Sequence, residues 1–377
     1  MDASTPQNQL SSNDVTEEMV LAALSHVKDP ELHKSLTSLG MVQGLRICGG
    51  NVAFELVLTT TACPLKDGIK KEAQDAVAAI PGVNEVTVEI SGRTLAARVP
   101  EREPIPGIKN VIAVSSGKGG VGKSTVTVNI ACTLARRGAK VGIVDADIYG
   151  PNVPLMMGLT GSNRVSGTES GKIKPAENYG VKVMSMAFLV KDDQPVVWRG
   201  PLLDRVIRQF LSDTDWGELD YLLIDLPPGT GDAQLTIVQA TPVVGAIIVT
   251  TPQDVALLDS RKGLAMFTNA NIPVFGIVEN MSYYRCPHCD ERDDIFGHGG
   301  GEAAAKQLNV PFLGALPLRG SLRAYADEGR PIVIAEPESE QSLLFNDITN
   351  QVVAKICEMG FATNTEVAPS AATASVS

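Results

Sequence analysis

The sequence predicts an α/β protein in which a doubly wound, mostly parallel sheet follows a small α/β domain. After about residue 108, short apolar segments such as "NVIAVSS" and "GAIIVTTP" alternate with amphipathic segments of helical length. These apolar segments lack polar alternation, which is typical of strands that helices cover on both faces. The chain of 377 residues, 44% of them hydrophobic, can form one large and one smaller core, because single cores stop growing at roughly 250–300 residues.

Five segments are predicted along the chain: a disordered tail at 1–15, a small α/β domain at 16–99, a linker at 100–108, the large domain at 109–360 and a second disordered tail at 361–377. The linker "PEREPIPGIKN" has three prolines among charged residues, a composition that favours a stiff, extended chain. The last segment consists mainly of small and polar residues and contains proline, a composition that is typical of disorder.

Charge and hydropathy restrict the expected partners and compartment. The formal net charge of -11 disfavours nucleic acid as a main partner, because phosphate binding requires clustered Lys and Arg. No stretch approaches the roughly 18 unbroken apolar residues of a membrane span. The first 18 residues contain no Lys or Arg, so they resemble neither a secretory signal nor a transit peptide. We therefore expect a cytoplasmic protein that binds neither nucleic acid nor membrane.

The small domain shows a helix, a hairpin, a second helix and a further strand. Its helices are predicted at "TEEMVLAALSHV" and "CPLKDGIKKEAQDAVAAI", and its last strand at "VNEVTVEI". Two strands flank "CGGN", where glycine supplies the positive φ that a tight hairpin turn needs.

The large domain begins with a phosphate-binding loop. Gly117 to Ser124 fits G-x-x-x-x-G-K-S/T and lies between an apolar strand and a helix, which is the context that makes this motif specific. Glycines allow backbone N–H groups to approach phosphate oxygens, Lys123 balances the β/γ charge and Ser124 can bind Mg²⁺. The predicted nucleotide contacts in this loop are Gly117, Gly119, Gly120, Val121, Gly122, Lys123, Ser124 and Thr125.

Three carboxylates follow predicted strands. Asp225 ends "YLLID", and Asp145 and Asp147 end "VGIVDAD". Ligands of open α/β sheets bind at the carboxyl edge, so we expect all three side chains there. In phosphoryl transfer Asp225 would hold Mg²⁺ through its waters and Asp147 would orient the attacking water. The alternative is that either carboxylate caps a helix.

The segment "GKGGVGKST" resembles the deviant phosphate loop of the MinD, ParA and nitrogenase iron-protein class of ATPases. That resemblance implies that the first lysine of the loop, Lys118, reaches across a dimer to the nucleotide of the partner chain. It therefore implies an ATP-hydrolysing homodimer in which Lys118 acts on developing charge much as an arginine finger does.

A C-x-x-C pair, Cys286 and Cys289, follows the strand "PVFGIVENM", with His288 between the cysteines and His298 beyond them. Such a pair can be a redox dithiol, part of a zinc site or part of an iron–sulfur site. A thioredoxin-like dithiol would open a helix near the start of the chain, whereas this pair follows a late strand. A zinc site needs four ligands, and only His288 and His298 could complete the set, at spacings unlike those of ordinary zinc fingers. If the ATPase is a dimer, two copies of the pair supply the four thiolates of a 4Fe–4S cluster.

Several motifs together narrow the resemblance. The segments "VDADIYGPNVPLMMG", "LIDLPPGTGD", "VENMSYYRCPHC" and "FGHGGGE" occur in the order found in the Mrp/ApbC branch of iron–sulfur cluster carrier ATPases, over about residues 105–355. The resemblance implies ATP, Mg²⁺ and a labile 4Fe–4S cluster, with apo iron–sulfur proteins and a cluster-assembly scaffold as partners. It also places Asn280 near the adenine, whereas chemistry alone allows a turn residue after the strand.

The remaining cysteines lie in two contexts. The small domain resembles a MIP18-like domain associated with iron–sulfur assembly, and "LTTTACPLKD" contains the Cys-Pro of that family, so Cys63 is a possible accessory thiol. The alternative is a helix start with Pro64 in its first turn and no reactive sulfur. Cys48, Cys132 and Cys357 lie in apolar segments and are expected to be buried.

The predicted function is therefore an ATPase that carries a 4Fe–4S cluster at a homodimer interface and transfers it to apo-proteins. Two alternatives remain open from the sequence. One is a switch that positions cellular cargo, as MinD and ParA do, and the other is an electron-donating reductase with a permanently bound cluster.

Overall fold

The computed structural model divides into two compact units, Met1–Leu95 and Ala96–Ser377. The structure describes residues 15–30, 32–48, 50–97, 103–148, 150–159, 165–168, 171–188 and 200–365.

The first unit is a small α/β unit with one hydrophobic core. Its elements are α1 (Glu17–Leu24), β1 (Val42–Cys48), β2 (Asn51–Leu58), α2 (Lys66–Ala78) and β3 (Glu85–Gly92). The Thr16 side chain accepts a hydrogen bond from the Met19 N–H at 3.3 Å and so caps the start of α1.

The three strands of this unit pair in the order β1-β2-β3 within the described residues. β1 and β2 form the predicted antiparallel hairpin, and β3 adds to β2 in parallel. Alternate residues of β2 are buried against the helices, from Val52 to Leu58. Cys48, at the end of β1, is exposed, so the expectation that it is buried is wrong, because the alternation of the strand turns its side chain outward.

The second unit contains a larger sheet covered by helices. Its strands are β4 (Ile108–Ser116), β5 (Val141–Asp145), β6 (Ser166–Gly167), β7 (Ile173–Lys174), β8 (Ala176–Asn178), β9 (Val181–Ser185), β10 (Leu219–Asp225), β11 (Val243–Thr250), β12 (Val274–Glu279), β13 (Tyr284–Arg285), β14 (Arg292–Asp293) and β15 (Phe312–Ala315). Its helices are α3 (Lys123–Arg136), α4 (Val153–Met156), α5 (Gly200–Ser212), α6 (Asp232–Ala240), α7 (Asp254–Asn269), α8 (Gly300–Leu308), α9 (Gly320–Asp327), α10 (Ile332–Ala335) and α11 (Glu340–Thr365), with a 3₁₀ turn at Met186–Phe188.

The main sheet of this unit has the order β15-β12-β11-β4-β10-β5-β9-β8 among the described residues. Neighbouring strands run parallel, except β8, which is antiparallel to β9. Every residue of β5, β10 and β11 is buried, which agrees with the unbroken apolar pattern and confirms the predicted doubly wound class. The chain reverses its direction of winding at β4, so ligands are expected at the carboxyl end of this strand.

Some boundaries differ from those expected. The Ala97 N–H donates to Asn110 Oδ1 at 3.0 Å and Ala97 is buried, so the second unit begins at Ala96 and not at the end of the predicted linker. β4 starts at Ile108, inside that linker, and α11 continues to Thr365, inside the predicted tail from 361. Residues 1–14, most of the 1–15 tail, and 366–377 lie outside the described residues.

None of the helices in the described ranges combines the length and the apolar character that crossing a membrane requires.

Candidate functional site

The phosphate-binding loop lies between the end of β4 and the first turn of α3. Gly120 and Gly122 have φ values of 80° and 83°, in the left-handed region that favours glycine. The loop borders a cavity of about 230 Å³ that is also lined by Asp147, Pro228 and Met281. Ligand pockets commonly measure about 300–1,000 Å³, so this cavity suits the phosphate end of a nucleotide at a helix N-terminus.

The lysine of the loop is held between two carboxylates. Lys123 Nζ lies 2.7 Å from Asp225 Oδ2 and 4.0 Å from Asp147 Oδ2. The lysine is 5% exposed, so its charge is balanced inside the unit before any phosphate binds.

Asp225 is completely buried at the end of β10. Besides Lys123, it accepts hydrogen bonds from Ser124 Oγ at 2.6 Å and from Thr127 Oγ1 at 2.7 Å. Carboxylate and hydroxyl oxygens are the hard donors that Mg²⁺ prefers. Ser124 and Asp225 are therefore chemically suited to a magnesium ion at this edge of the sheet.

A second carboxyl lies beside the first. Asp145 is the register partner of Asp225 on the neighbouring strand β5 and is completely buried. Burial, and then the negative charge of Asp225, raise the pKa of Asp145 to about 8, against the hydrogen bond from Ser185 Oγ and the positive charge of Lys123. The raised pKa favours the protonated form of Asp145, and a proton there limits repulsion between the two carboxyl groups.

Asp147, two residues beyond β5, lines the phosphate cavity and is 8% exposed. It accepts a hydrogen bond from the Gly150 N–H at 3.3 Å. The structure therefore brings the three predicted carboxylates together at one sheet edge, and Asp147 is the one placed to meet a molecule in the cavity.

Asn280 contacts the phosphate loop directly. It follows β12 and is 3% exposed, and its Nδ2 donates to the Val121 carbonyl at 2.8 Å. A Cβ at Gly122 would overlap the Asn280 amide, so glycine is required here for space as well as for its φ. The Asn280 amide therefore holds the loop. The sequence had suggested either a position near the adenine or a turn residue, and neither interpretation includes this contact.

Lys118 occupies a different position from Lys123. Its Nζ donates to Gln253 Oε1 at 3.3 Å, at the start of α7, and Lys118 is absent from the described lining of the phosphate cavity. Within one chain, this side chain is hydrogen-bonded at the start of α7 and does not line the described cavity beside Lys123.

The cysteine pair lies at the tip of the small hairpin formed by β13 and β14. Tyr284 pairs with Asp293, and Arg285 with Arg292. The Cys286 N–H donates to the Glu291 carbonyl at 2.9 Å, so residues 286–291 form the tip. Cys286 is half-exposed and Cys289 is exposed.

Local hydrogen bonds favour the thiolate of Cys286. The backbone N–H groups of His288 and Cys289, and then the Cys289 side chain, lower the pKa of the Cys286 thiol. His298 instead contacts Arg292, at 2.6 Å from its Nδ1. Among the described residues, no group of three or more His, Cys, Asp or Glu side chains is arranged to hold a metal ion.

Cys63 is buried with 7% exposure and packs in the core of the small unit. It lies three residues before α2 begins at Lys66. These positions agree better with a packing role than with an accessible accessory thiol.

Sequence reasoning missed Thr127, Ser185 and the contact of Asn280 with the loop. Thr127 lies four residues after Lys123 in α3, so helical spacing already places the two residues on one face. Ser185, which donates to Asp145 at 2.9 Å, reaches the site through strand pairing, for which the sequence carries no local signal.

The fold and this site define a P-loop nucleotide-binding protein of the α/β class, with a solvent-accessible thiol pair at the tip of a small hairpin. Comparison with family models matches residues 107–353 to the NUBPL iron-transfer P-loop NTPases and residues 17–90 to an iron–sulfur cluster assembly protein family. The chain belongs to the NUBPL iron-transfer P-loop NTPase family. This finding confirms the resemblance predicted from the motifs.

Curated relatives extend over both units. An iron–sulfur cluster carrier protein of Synechocystis sp. is 51% identical over 346 residues, covering 91% of this chain and 98% of the relative. An iron–sulfur cluster carrier protein of Escherichia coli K12 is 40% identical over 355 residues, covering 94% and 96% of the two chains.

Solved structures match nearly two thirds of the chain. A nucleotide-binding protein of Archaeoglobus fulgidus in complex with ADP is 42% identical, with a TM-score of 0.55, and covers 63% of this chain and 92% of its own. The septum site-determining protein MinD of Pyrococcus horikoshii, complexed with Mg-ADP, is 25% identical, with a TM-score of 0.50, over 64% and 95% of the two chains.

Proposed function

We propose that this protein is a cytoplasmic, ATP-hydrolysing carrier that binds a 4Fe–4S cluster between two copies of the chain and delivers it to apo iron–sulfur proteins. The observation that carries the proposal is the accessibility of Cys286 and Cys289. They are a thiol pair that lacks a third ligand among the described residues. Cargo that must leave needs ligands at a surface, whereas a resident metal is normally enclosed by a complete ligand set.

The nucleotide would bind with its phosphates in the cavity beside Gly122. The Lys123 ammonium would then contact phosphate oxygens and lose part of its interaction with Asp225, so that one negatively charged partner replaces another. Ser124 and Asp225 would hold Mg²⁺, whose chemistry is to neutralise charge on the phosphates. Asp147, which lines the cavity, would orient the attacking water.

Hydrolysis would require the second chain. Lys118 contacts Gln253 and does not line the described phosphate cavity of its own chain, which supports the role that the resemblance assigns to it at the nucleotide of a partner. A cation that arrives only on pairing would stabilise the transition state only in the assembled dimer. Hydrolysis would thereby be tied to the state in which the cluster ligands of both chains are together.

The cluster is the cargo of this reaction. One chain offers two thiolates. Two chains related by a two-fold axis beside the hairpin tips would together supply four, the usual number of ligands of a 4Fe–4S cluster. The lowered pKa of the Cys286 thiol favours the ionised form that binds iron. Because the ligands are exposed, an acceptor with more cysteines could take the cluster by ligand exchange.

Anaerobic reconstitution with iron and sulfide tests the proposal. The expected product contains about one 4Fe–4S cluster per two chains, the stoichiometry that follows from two thiolates per chain, and sediments as a dimer. The cluster should pass to an apo 4Fe–4S enzyme and restore its activity. The Cys286→Ser, Cys289→Ser double variant should remain colourless after the same treatment.

Cys48→Ser is the matched control, because Cys48 is also exposed but lies in the small unit. This variant should assemble and transfer the cluster as the wild type does. Colour retained in the double variant, or one complete cluster on a chain that stays single with nucleotide present, would exclude the shared site. A cluster that is reduced and reoxidised without loss to acceptors would instead favour an electron donor.

A further inference from the structure

A single short segment connects the phosphate loop to the cysteine hairpin. Asn280 contacts the loop, Met281 lines the phosphate cavity, and Cys286 follows Asn280 by six residues. The two candidate sites are therefore neighbours along the chain as well as parts of the same unit.

The loop end of this segment is tightly fixed. Asn280 Nδ2 donates to the Val121 carbonyl, and the Asn280 N–H donates to the Thr250 carbonyl at 2.8 Å. In a trans peptide the carbonyl and the following N–H point in opposite directions, so the bond to Val121 turns the Gly122 N–H away from Asn280. Gly122 lines the phosphate cavity, and the orientation of this peptide thus depends on the Asn280 amide.

The hairpin end is fixed as well. The Ser282 N–H donates to the Leu316 carbonyl at 2.9 Å, and the Leu318 N–H donates to the Tyr283 carbonyl at 2.7 Å. Buried Glu279 accepts from Ser282 Oγ at 2.5 Å and from the Gly301 N–H at the start of α8. Because both ends are hydrogen-bonded, a displacement of Asn280 is transmitted along the segment and is not absorbed in a loose loop.

We propose that Asn280 is a positioning residue that couples occupancy of the phosphate loop to the geometry of the Cys286 and Cys289 thiols. Phosphate binding recruits loop N–H groups, the Val121–Gly122 peptide moves with them, and the Asn280 amide follows the carbonyl that it holds. The segment then changes the placement of the hairpin. This inference rests on the nucleotide binding in the proposed function, but not on hydrolysis or on the cluster.

The test uses the reduced, cluster-free full chain with Cys48→Ser, which removes the other exposed thiol. An aromatic disulfide that releases a coloured thiolate reports the reaction rate of the hairpin thiols. Saturating ADP with Mg²⁺ should change this rate about fivefold or more, the lower range of coupling between sites. A fluorescent ADP analogue measures nucleotide affinity on the same samples.

In Asn280→Ala the thiol rates with and without ADP should become about equal. The affinity for ADP should fall about tenfold, the cost of one lost hydrogen bond that leaves the Val121 carbonyl without this partner. Asn129→Ala is the matched control. Asn129 is a buried amide that donates to the Thr125 carbonyl at 2.8 Å, on the side of α3 that faces Val333. Its variant should weaken ADP binding while the rate ratio is retained.

The possible results distinguish the coupling proposal from the proposed carrier function. ADP that binds the wild type without changing the thiol rate, or a ratio retained in Asn280→Ala, overturns the coupling but leaves the proposed carrier standing. A wild type that does not bind ADP overturns both. If Asn280→Ala does not fold, Asn280→Asp retains the size of the side chain without its donor, and a ratio that survives in this variant also overturns the role.

Discussion

Thr127→Val removes one hydrogen bond from the buried carboxylate of Asp225 with almost no change in shape. Thr127 is completely buried, and its Oγ1 lies 2.7 Å from Asp225 Oδ1 and 3.0 Å from the Lys123 carbonyl. Valine fills the same volume, so no cavity term is added, and the loss of a hydrogen bond to a charged group costs about 1.5–3 kcal/mol. We expect a loss of about 2 kcal/mol in the free energy of unfolding. For a unit of this size that corresponds to a fall of about 4–8 °C in Tm.

Calorimetry of the full chain measures this fall in Tm. The relevant unfolding transition is the one that Mg·ADP shifts to higher temperature, because a ligand raises the Tm of the unit that binds it. Thr127→Ser is the control: it keeps the hydroxyl and loses only one buried methyl group, at about 0.8 kcal/mol. The valine variant should also bind Mg·ADP about tenfold more weakly, because Asp225 has lost a group that orients it, whereas the serine variant should bind as the wild type does. A valine variant equal to the serine variant in both measurements would show that Thr127 does not hold the carboxylate.

Two further changes test the same site. Asp145 has a pKa raised from 3.8 to about 8, so the folded chain keeps a proton that the unfolded chain loses, and the free energy of unfolding should decrease as the pH rises between these values. Asp145→Asn should remove that part of the slope in denaturant titrations at a series of pH values, and parallel curves for variant and wild type would contradict the assignment. Gly122→Ala should abolish binding of a fluorescent ADP analogue, because φ is 83° and the new Cβ overlaps the Asn280 amide. Gly138→Ala, at φ 92° with open space around the new Cβ, should cost only the backbone strain of about 1–2 kcal/mol and keep ADP binding.

The elements that the sequence predicted well are those whose burial is uniform. β10 and β11 are apolar throughout because helices cover both faces of the sheet, and their apolar runs identify them without knowledge of their neighbours. β9 was not identified, because its segment "VKVMS" is short and includes a lysine that contacts the Trp216 carbonyl. The hairpin of β13 and β14 has two residues in each strand, and Tyr284 is also bridged to Leu318. Its existence therefore depends on pairing that no local pattern reveals.

The same distinction applies to the candidate site. Lys123, Ser124 and Asp225 could be proposed from the sequence because each lies next to a strand end or in a glycine loop. The hydrogen bonds that hold the site in place come from groups that are distant in sequence. Asn280 reaches Val121 across 159 residues, and Thr127 reaches Asp225 across 98. A local sequence pattern indicates the candidate groups, whereas the hydrogen bonds that orient these groups form only when the sheet assembles.

The charges around Lys123 connect these observations to function. Its ammonium already has Asp225 at 2.7 Å and Asp147 at 4.0 Å, so incoming phosphates meet carboxylates as well as a cation. Like charges at such distances repel strongly where water is excluded. A nucleotide without a divalent cation should therefore gain little from Lys123, because each phosphate contact is offset by repulsion from Asp225. The two carboxylates beside Lys123, those of Asp225 and Asp147, should thus favour the metal complex of a nucleotide over the free anion.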